Sequence, residues 1–536
     1  MQIKSIKPLI FITILSLAFA IGFYIDGQNA TVNNLSSDQW NILPVCIKLD
    51  HPELYEGDLF VADANDVDYY IPLFIAGIRF FTRWSHDNYI EGLNKFNFFI
   101  NFFYTFFWGY FFYYLSKNIP LSLLMTILVR GILWLPGYEL WGAGALWTAL
   151  PRTAFLALLP LPLMLLLPVT LNKYYHFAGA LFIGIISNYH PISGLGLCFS
   201  VWLTYFIYHR YLINDKPTNL LVNLLIIAFL MILGLSPYII RYLQEVLTQN
   251  YHNKQMFTEL IHLRIGDQFY NPYLALTKFG QVKWIIFLAV PIISIILLRK
   301  RLPEDLGKIA SFSFVLLAVI LGFSFLVVPV EQLIQKTGIK LHMAFQLIRN
   351  VKFVMIPVFV FYFIILVFAI SKIKPHYKKI ISLSLLFCLL ILLLFSRVEP
   401  VRSLPLMGDD LIRSTLPNIY SLRKENGYED PDLEKMFEWI NSNTEKNVKF
   451  VGPPQIRISC RRSVIFDFKG AAMLIEGNPD KYVQWGNRLL ELRKCTDIQC
   501  KIALYKKWGA DYLLSDEVIV NKHTTFSSGR WNLYQL

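Results

Sequence analysis

Four aspartates, Asp58, Asp63, Asp66 and Asp68, fall within eleven residues of a chain that is otherwise basic and apolar. Carboxylates gathered this closely suit three tasks: holding a divalent cation through hard oxygen ligands, acting as general base toward a hydroxyl, or solvating a loop. They end a stretch from Ile25 to Tyr70 in which nine acids face one base, Lys48. That stretch runs directly into Ile71-Pro72-Leu73-Phe74-Ile75-Ala76-Gly77-Ile78, an apolar segment suited to the membrane interface. Aspartates at such a surface repel each other and anionic headgroups unless a cation or a substrate compensates them. All four are therefore candidates for the base, and the Asp66-x-Asp68 pair for a divalent ion such as Mg or Mn.

A second set of residues carries the opposite charge. Arg130 lies inside the apolar run Ile127-Leu128-Val129-Arg130-Gly131-Ile132-Leu133, where a buried arginine costs roughly 2.5 to 3.5 kcal/mol and must snorkel, pair or line a polar cavity. Arg152 follows Pro151, His190 precedes Pro191, and Arg264, Arg349 and Lys352 stand in or beside later outer loops. Arginine binds phosphate in a bidentate fork, and histidine can hydrogen-bond phosphate or move a proton. Aspartates and cations together would suit a lipid-phosphate-linked sugar, whose tail lies in the membrane and whose acceptor must be deprotonated.

These residues need a membrane scaffold. The chain has 536 residues, 55% of them hydrophobic and 16% charged, which describes a polytopic α-helical membrane protein. Nine apolar runs read as spans, from Pro8–Tyr24 to Ile380–Phe395. The region from Phe177 to Tyr208 reads as two short spans meeting at Asn188-Tyr189-His190-Pro191, because proline disfavours helix in the residue before it. That gives about eleven spans. Ala18-Phe19-Ala20 resembles a signal cleavage site, but the apolar run continues to Tyr24, so an uncleaved first helix is expected.

The net charge of +13 does not require nucleic acid as a partner. With the amino terminus in the cytoplasm, the inner segments hold clusters such as Arg299-Lys300-Arg301 and Lys372, Lys374, Lys378 and Lys379. They hold three acids, Asp215, Glu304 and Asp305, which is the positive-inside pattern. The expected organisation is a first membrane helix (1–24), an outer acidic loop with an interfacial helix (25–90), a membrane bundle (91–396) and an outer soluble α/β domain (397–536). In that last region helices are expected at Asp432–Asn441, Tyr482–Leu492 and Ile498–Trp508. Strands are expected at Val448–Val451, Ser463–Phe468, Tyr512–Leu514 and Trp531–Tyr534. Cys198 and Cys388 read as packing residues, while Cys460, Cys495 and Cys500 leave the pairing open.

Three short motifs complete the picture: His51-Pro52-Glu53-Leu54-Tyr55-x-Gly57-Asp58, Pro151-Arg152, and His190-Pro191-Ile192-Ser193-Gly194. With the acidic first loop, they make the chain resemble the GT-C superfamily of integral membrane glycosyltransferases, and more narrowly a group of bacterial membrane proteins with these motifs. The resemblance implies transfer of a sugar from a polyprenyl-phosphate carrier to a glycan, lipid or protein acceptor on the outer face of the cytoplasmic membrane. It implies an acidic residue of the first loop, among Asp58, Asp63, Asp66 and Asp68, as catalytic base or metal ligand. It makes Arg152, His190, Arg349 and Arg130 the candidates for binding the donor phosphate. A transporter or flippase of a lipid-linked glycan would bind with the same residues without reacting, and a non-catalytic assembly subunit would not need the aspartates.

Overall fold

Apolar helices dominate the chain because its long runs of Leu, Ile and Phe offer no polar face, and prolines decide where many of them begin. The computed structural model describes residues 6–536 except 29, 37, 132–145, 170–171, 215, 246–251, 265–268, 270, 272, 275–276, 278–281, 337–345, 397, 403–408, 418–429 and 521. The chain divides into two compact units. The first holds Met1–Gly27, Asn94–Pro237 and Gly266–Lys424, and the second holds Gln28–Leu93, Tyr238–Ile265 and Glu425–Leu536.

Among the described residues, six helices are long and apolar enough to cross a membrane: Lys7–Asp26, Pro191–Ile213, Pro217–Gln244, Glu304–Ile334, Leu347–Ser371 and Pro375–Leu394. This is fewer than the eleven expected, for physical reasons. The helix Tyr89–Ser116 has 28 residues but carries Glu91, Asn94, Lys95, Asn97 and Asn101. Pro160 divides the next apolar run into Pro151–Leu158 and Pro160–Leu166. Lys173–Ser187 and Val282–Leu298 are 15 and 17 residues long, below the roughly 20 that a 30 Å hydrocarbon core needs. Ile119–Val129 is followed closely by residues 132–145, where part of the expected third span lies outside the described residues. A helix break falls at Asn188, Tyr189 and His190, and Pro191 opens the next helix.

The second unit is built on a small mixed sheet. Strands β1 (Lys449–Val451), β2 (Ser463–Val464), β3 (Tyr512–Ser515), β4 (Phe526–Ser528) and β5 (Trp531–Gln535) lie in the order β2-β1-β3-β5-β4. β1 pairs in parallel with β2 and β3, while β5 runs antiparallel to β3 and β4. Helices Ala471–Gly477, Pro479–Lys494 and Ile498–Lys507 supply the long connection that a parallel β2 to β3 passage requires. Val451, Ile465, Ile502, Leu513 and Tyr534 close a core between sheet and helices. Cys495 and Cys500 form a disulfide, and Cys460 is a buried thiol.

Candidate functional site

In the second unit, the four aspartates have four different environments. Asp58 is sealed from solvent, and both of its oxygens are occupied. Oδ1 accepts from the amides of Phe60 and Val61, and Oδ2 from the Val464 amide and from Arg457 Nε at 2.6 Å. Arg457 spends its other nitrogens on Asp467 and the Val464 carbonyl, and its guanidinium lies over the Phe60 ring. The residues before Asp58 join the same clamp, since Lys48 donates to the carbonyls of Pro52 and Leu54 and the Tyr55 hydroxyl donates to the Arg457 carbonyl. Asp58 thus anchors the loop.

Asp63 is exposed and accepts from the Asn65 amide two residues on, a local turn of its own. Asp66 is buried and doubly held, by Asn478 Nδ2 at 2.9 Å and Lys481 Nζ at 2.6 Å. Asn478 also caps the Pro479–Lys494 helix, so this aspartate ties the loop to a helix start. A Cβ on Gly477 would come within 1.6 Å of the Asp66 carbonyl oxygen, so only glycine permits so close an approach.

Asp68 differs. Arg241 Nη1 contacts its Oδ2 at 3.3 Å and donates to its backbone carbonyl at 2.9 Å, but Oδ1 is buried with no hydrogen-bond partner. Burial raises the Asp68 pKa from its ordinary value, and the Arg241 charge opposes part of that rise. Its side chain as a whole is 24% exposed, although Oδ1 itself is shielded. A carboxylate with an unused oxygen and a raised pKa meets the requirements of a general base, and Asp68 meets them best of the four.

At the Asp66 and Asp68 pair, Lys481 lies against Asp66 Oδ2 and Arg241 against Asp68 Oδ2. Among the described residues, no group of three or more His, Cys, Asp or Glu is arranged to hold a metal.

In the first unit, three of the four expected phosphate ligands gather with a further basic residue, Lys352. Pro151 opens the helix that carries Arg152, and His190 caps the helix Pro191–Ile207, its Nδ1 accepting from the Ser193 amide at 3.2 Å. In the neutral ring this leaves the proton on Nε2. Arg349 and Lys352 lie on the 3-10 segment Leu347–Val354. The charges of Lys352, Arg152 and Arg349 all act on the His190 ring, and those of Arg152 and Arg349 act on Lys352. The approach depends on Gly196, where a Cβ would meet Asn350 Nδ2 at 2.1 Å. Arg349 lies over the Phe269 ring, which limits its freedom. Lys352 is 8% exposed and forms no ion pair among the described residues. These residues flank a helix N-terminus, which itself favours an anion.

Arg130 stands apart from this group. It is completely buried and donates to the Ser414 carbonyl, Thr105 Oγ1 and Asn101 Oδ1, with its guanidinium over Phe19. Every nitrogen of its fork is committed to the packing of the unit. Residue types point to Arg152, His190 and Arg349, whereas Lys352 reads from the sequence only as a cation in or beside an outer loop. Its place in the group comes from the turn of the 3-10 segment, which no sequence pattern announces.

No family model matches this chain, and no curated protein matches it. The arrangement of its own residues is what supports a functional reading.

Proposed function

We propose that this protein is a membrane glycosyltransferase that moves a sugar from a polyprenyl-phosphate carrier to an acceptor hydroxyl on the outer face of the cytoplasmic membrane. The observation that carries the reading is the cation group Arg152, His190, Arg349 and Lys352 in an apolar, helical unit. It has the charge and the setting for a phosphate attached to a lipid tail. In the reaction, the bond between the sugar's anomeric carbon and the phosphate oxygen breaks as the acceptor oxygen bonds to that carbon from the opposite side. The phosphate leaves with its charge taken up by cations, and the acceptor proton passes to a general base, the role for which Asp68 is the candidate. One displacement inverts the anomeric centre.

The full topology belongs to this proposal: eleven spans, the amino terminus inside, and the acidic loop and tail outside. The positive-inside distribution supports it, as does a disulfide in the tail, which suits an oxidising compartment. A flippase would use the same cations, but it has no need of a base, and the unbonded oxygen of Asp68 favours the transferase.

The test is transfer of label from a panel of polyprenyl-phosphate sugars to membrane acceptors by the reconstituted protein. Wild type should transfer from at least one donor, and Asp68→Asn should lose about a hundredfold or more, the usual contribution of a general base. Translocation of the labelled lipid without any transfer would replace this reading with the flippase.

A further inference from the structure

Glu476 is a buried carboxylate that belongs neither to the acidic loop nor to the cation group. It lies near the end of the helix Ala471–Gly477, is 7% exposed, and accepts from the Tyr242 hydroxyl through Oε2 at 3.2 Å. Its Oε1 is buried and has no hydrogen-bond partner. Leaving such an atom unsatisfied is costly, and a native structure rarely accepts that without a use. Burial pushes the Glu476 pKa up to about 8, so at neutral pH the carboxyl can donate as well as accept.

Its neighbours all belong to the second unit. Tyr69 meets the Tyr242 ring edge to face at 6.4 Å, and Tyr238 lies 5.6 Å from the same ring. Arg241, one residue before Tyr242, reaches the Asp68 carboxylate and carbonyl. The loop thus brings Asp68 and Tyr69 to the helix that carries Tyr238, Arg241 and Tyr242, the last of which bonds Glu476. Two unbonded carboxylate oxygens, Asp68 Oδ1 and Glu476 Oε1, are associated with a run of tyrosine rings.

Several ligand classes do not suit this group. A phosphate finds two carboxyl groups, and Arg241 is already engaged with Asp68. A divalent cation finds too few oxygens, and a purely apolar ligand would leave both carboxyl oxygens unsatisfied. A polyhydroxylated ring suits it, because its hydroxyls can bond both carboxyl groups while its C–H face lies against tyrosine.

We propose that Glu476, Asp68, Tyr242 and Tyr69 form a saccharide subsite, which identifies the acceptor as a sugar hydroxyl. Its role as acceptor site rests on the transferase reading, but saccharide binding does not. Glu476 would bind and orient one hydroxyl while Asp68 faces the reacting one.

Saturation-transfer NMR of the full chain in nanodiscs, with the methyl glycosides of glucose, galactose, mannose and N-acetylglucosamine as probes, tests this directly. At least one glycoside should bind, and Glu476→Gln and Tyr242→Phe should each weaken it about tenfold, in line with the loss of a hydrogen bond to a charged or strongly polar group. Glu438→Gln, an exposed change on the helix Pro431–Asn443, should leave it unaltered. Both test variants remove little volume, and Cys460 shielding from a thiol dye checks that the unit remains folded. Absence of binding by all four glycosides, or binding indifferent to both changes in folded protein, overturns the subsite. Binding that responds to them alongside a failed transfer assay keeps the subsite and discards the transferase.

Discussion

Arg457 reaches Asp58 at 2.6 Å, with both side chains shielded from solvent, although 399 residues separate them in the chain. This pair explains why the acidic loop and the carboxy-terminal segment belong to one compact unit. Removing one partner of a buried pair costs up to about 3 to 5 kcal/mol where the other charge is left uncompensated, and less here because Arg457 keeps Asp467. Asp58→Asn should therefore lower the temperature at which Cys460 reacts with a thiol dye, without any specific effect on a catalytic step. An Asp58→Asn variant of unchanged thermal stability and greatly reduced turnover would return Asp58 to the candidates for the base.

Asp68 should behave in the opposite way. Asp68→Asn should leave dye reactivity of Cys460 at its normal temperature while removing turnover, and Asp63→Asn should change neither. Arg241→Gln removes the positive charge that restrains the Asp68 pKa, so that pKa rises further. The ionised base then forms only at higher pH. The acidic limb of the pH profile of kcat should move upward, and a limb that stayed in place would separate Arg241 from the base.

Glu476 makes stability depend on pH in a defined direction. Its folded-state pKa, raised to about 8 by burial and lowered slightly by the Tyr242 hydrogen bond, lies above that of an unfolded glutamate. The groups around it are Tyr69, Tyr238 and Tyr242, whose charges become coupled to it only on ionisation. The folded state holds its proton more tightly, so stability is full below the ordinary glutamate range and falls as pH rises through about 8. The loss is on the order of a few kcal/mol. Melting curves between pH 5 and pH 9 should show the fall in wild type, and Glu476→Gln should flatten it.

The disulfide offers a check on orientation. Cys495 and Cys500 are bonded, and Cys460 is buried. An impermeant maleimide applied to intact cells should therefore label the tail only after reduction. Labelling that appears only once the inner membrane is permeabilised would put the tail in the cytoplasm.

Much of the second unit was legible in the sequence because its elements have simple periods and clear caps. The helix expected at Asp432–Asn441 runs Pro431–Asn443, and the strand expected at Tyr512–Leu514 runs Tyr512–Ser515. The helix Ala471–Gly477 was missed because it has only seven residues, too few to display a period, and so Glu476 was missed with it. The expected strand Ser463–Phe468 shrank to Ser463–Val464, since Asp467 leaves the ladder to bond Arg457 and the amides of Lys469 and Gly470.

Sorting the four aspartates was beyond the sequence for a different reason. Their partners Arg457 and Lys481 lie about 400 residues away, and only the folded chain brings them to Asp58 and Asp66. Charge density was visible, while charge compensation was not. The cations were easier, because Pro151-Arg152 and His190-Pro191 mark helix starts that can be read directly, and helix starts are where anions bind.

The most direct test of the central claim compares binding of a polyprenyl phosphate with that of the corresponding polyprenol, in nanodiscs, to wild type and to Lys352→Gln and His190→Gln. The two lipids share a tail, so any preference reports the phosphate alone. The cation group predicts that wild type binds the phosphate at least about tenfold more tightly and that each variant loses most of this preference, a charge-assisted bond contributing about 1.5 to 3 kcal/mol. Equal affinity for the two lipids, or a preference that survives both substitutions, would contradict it.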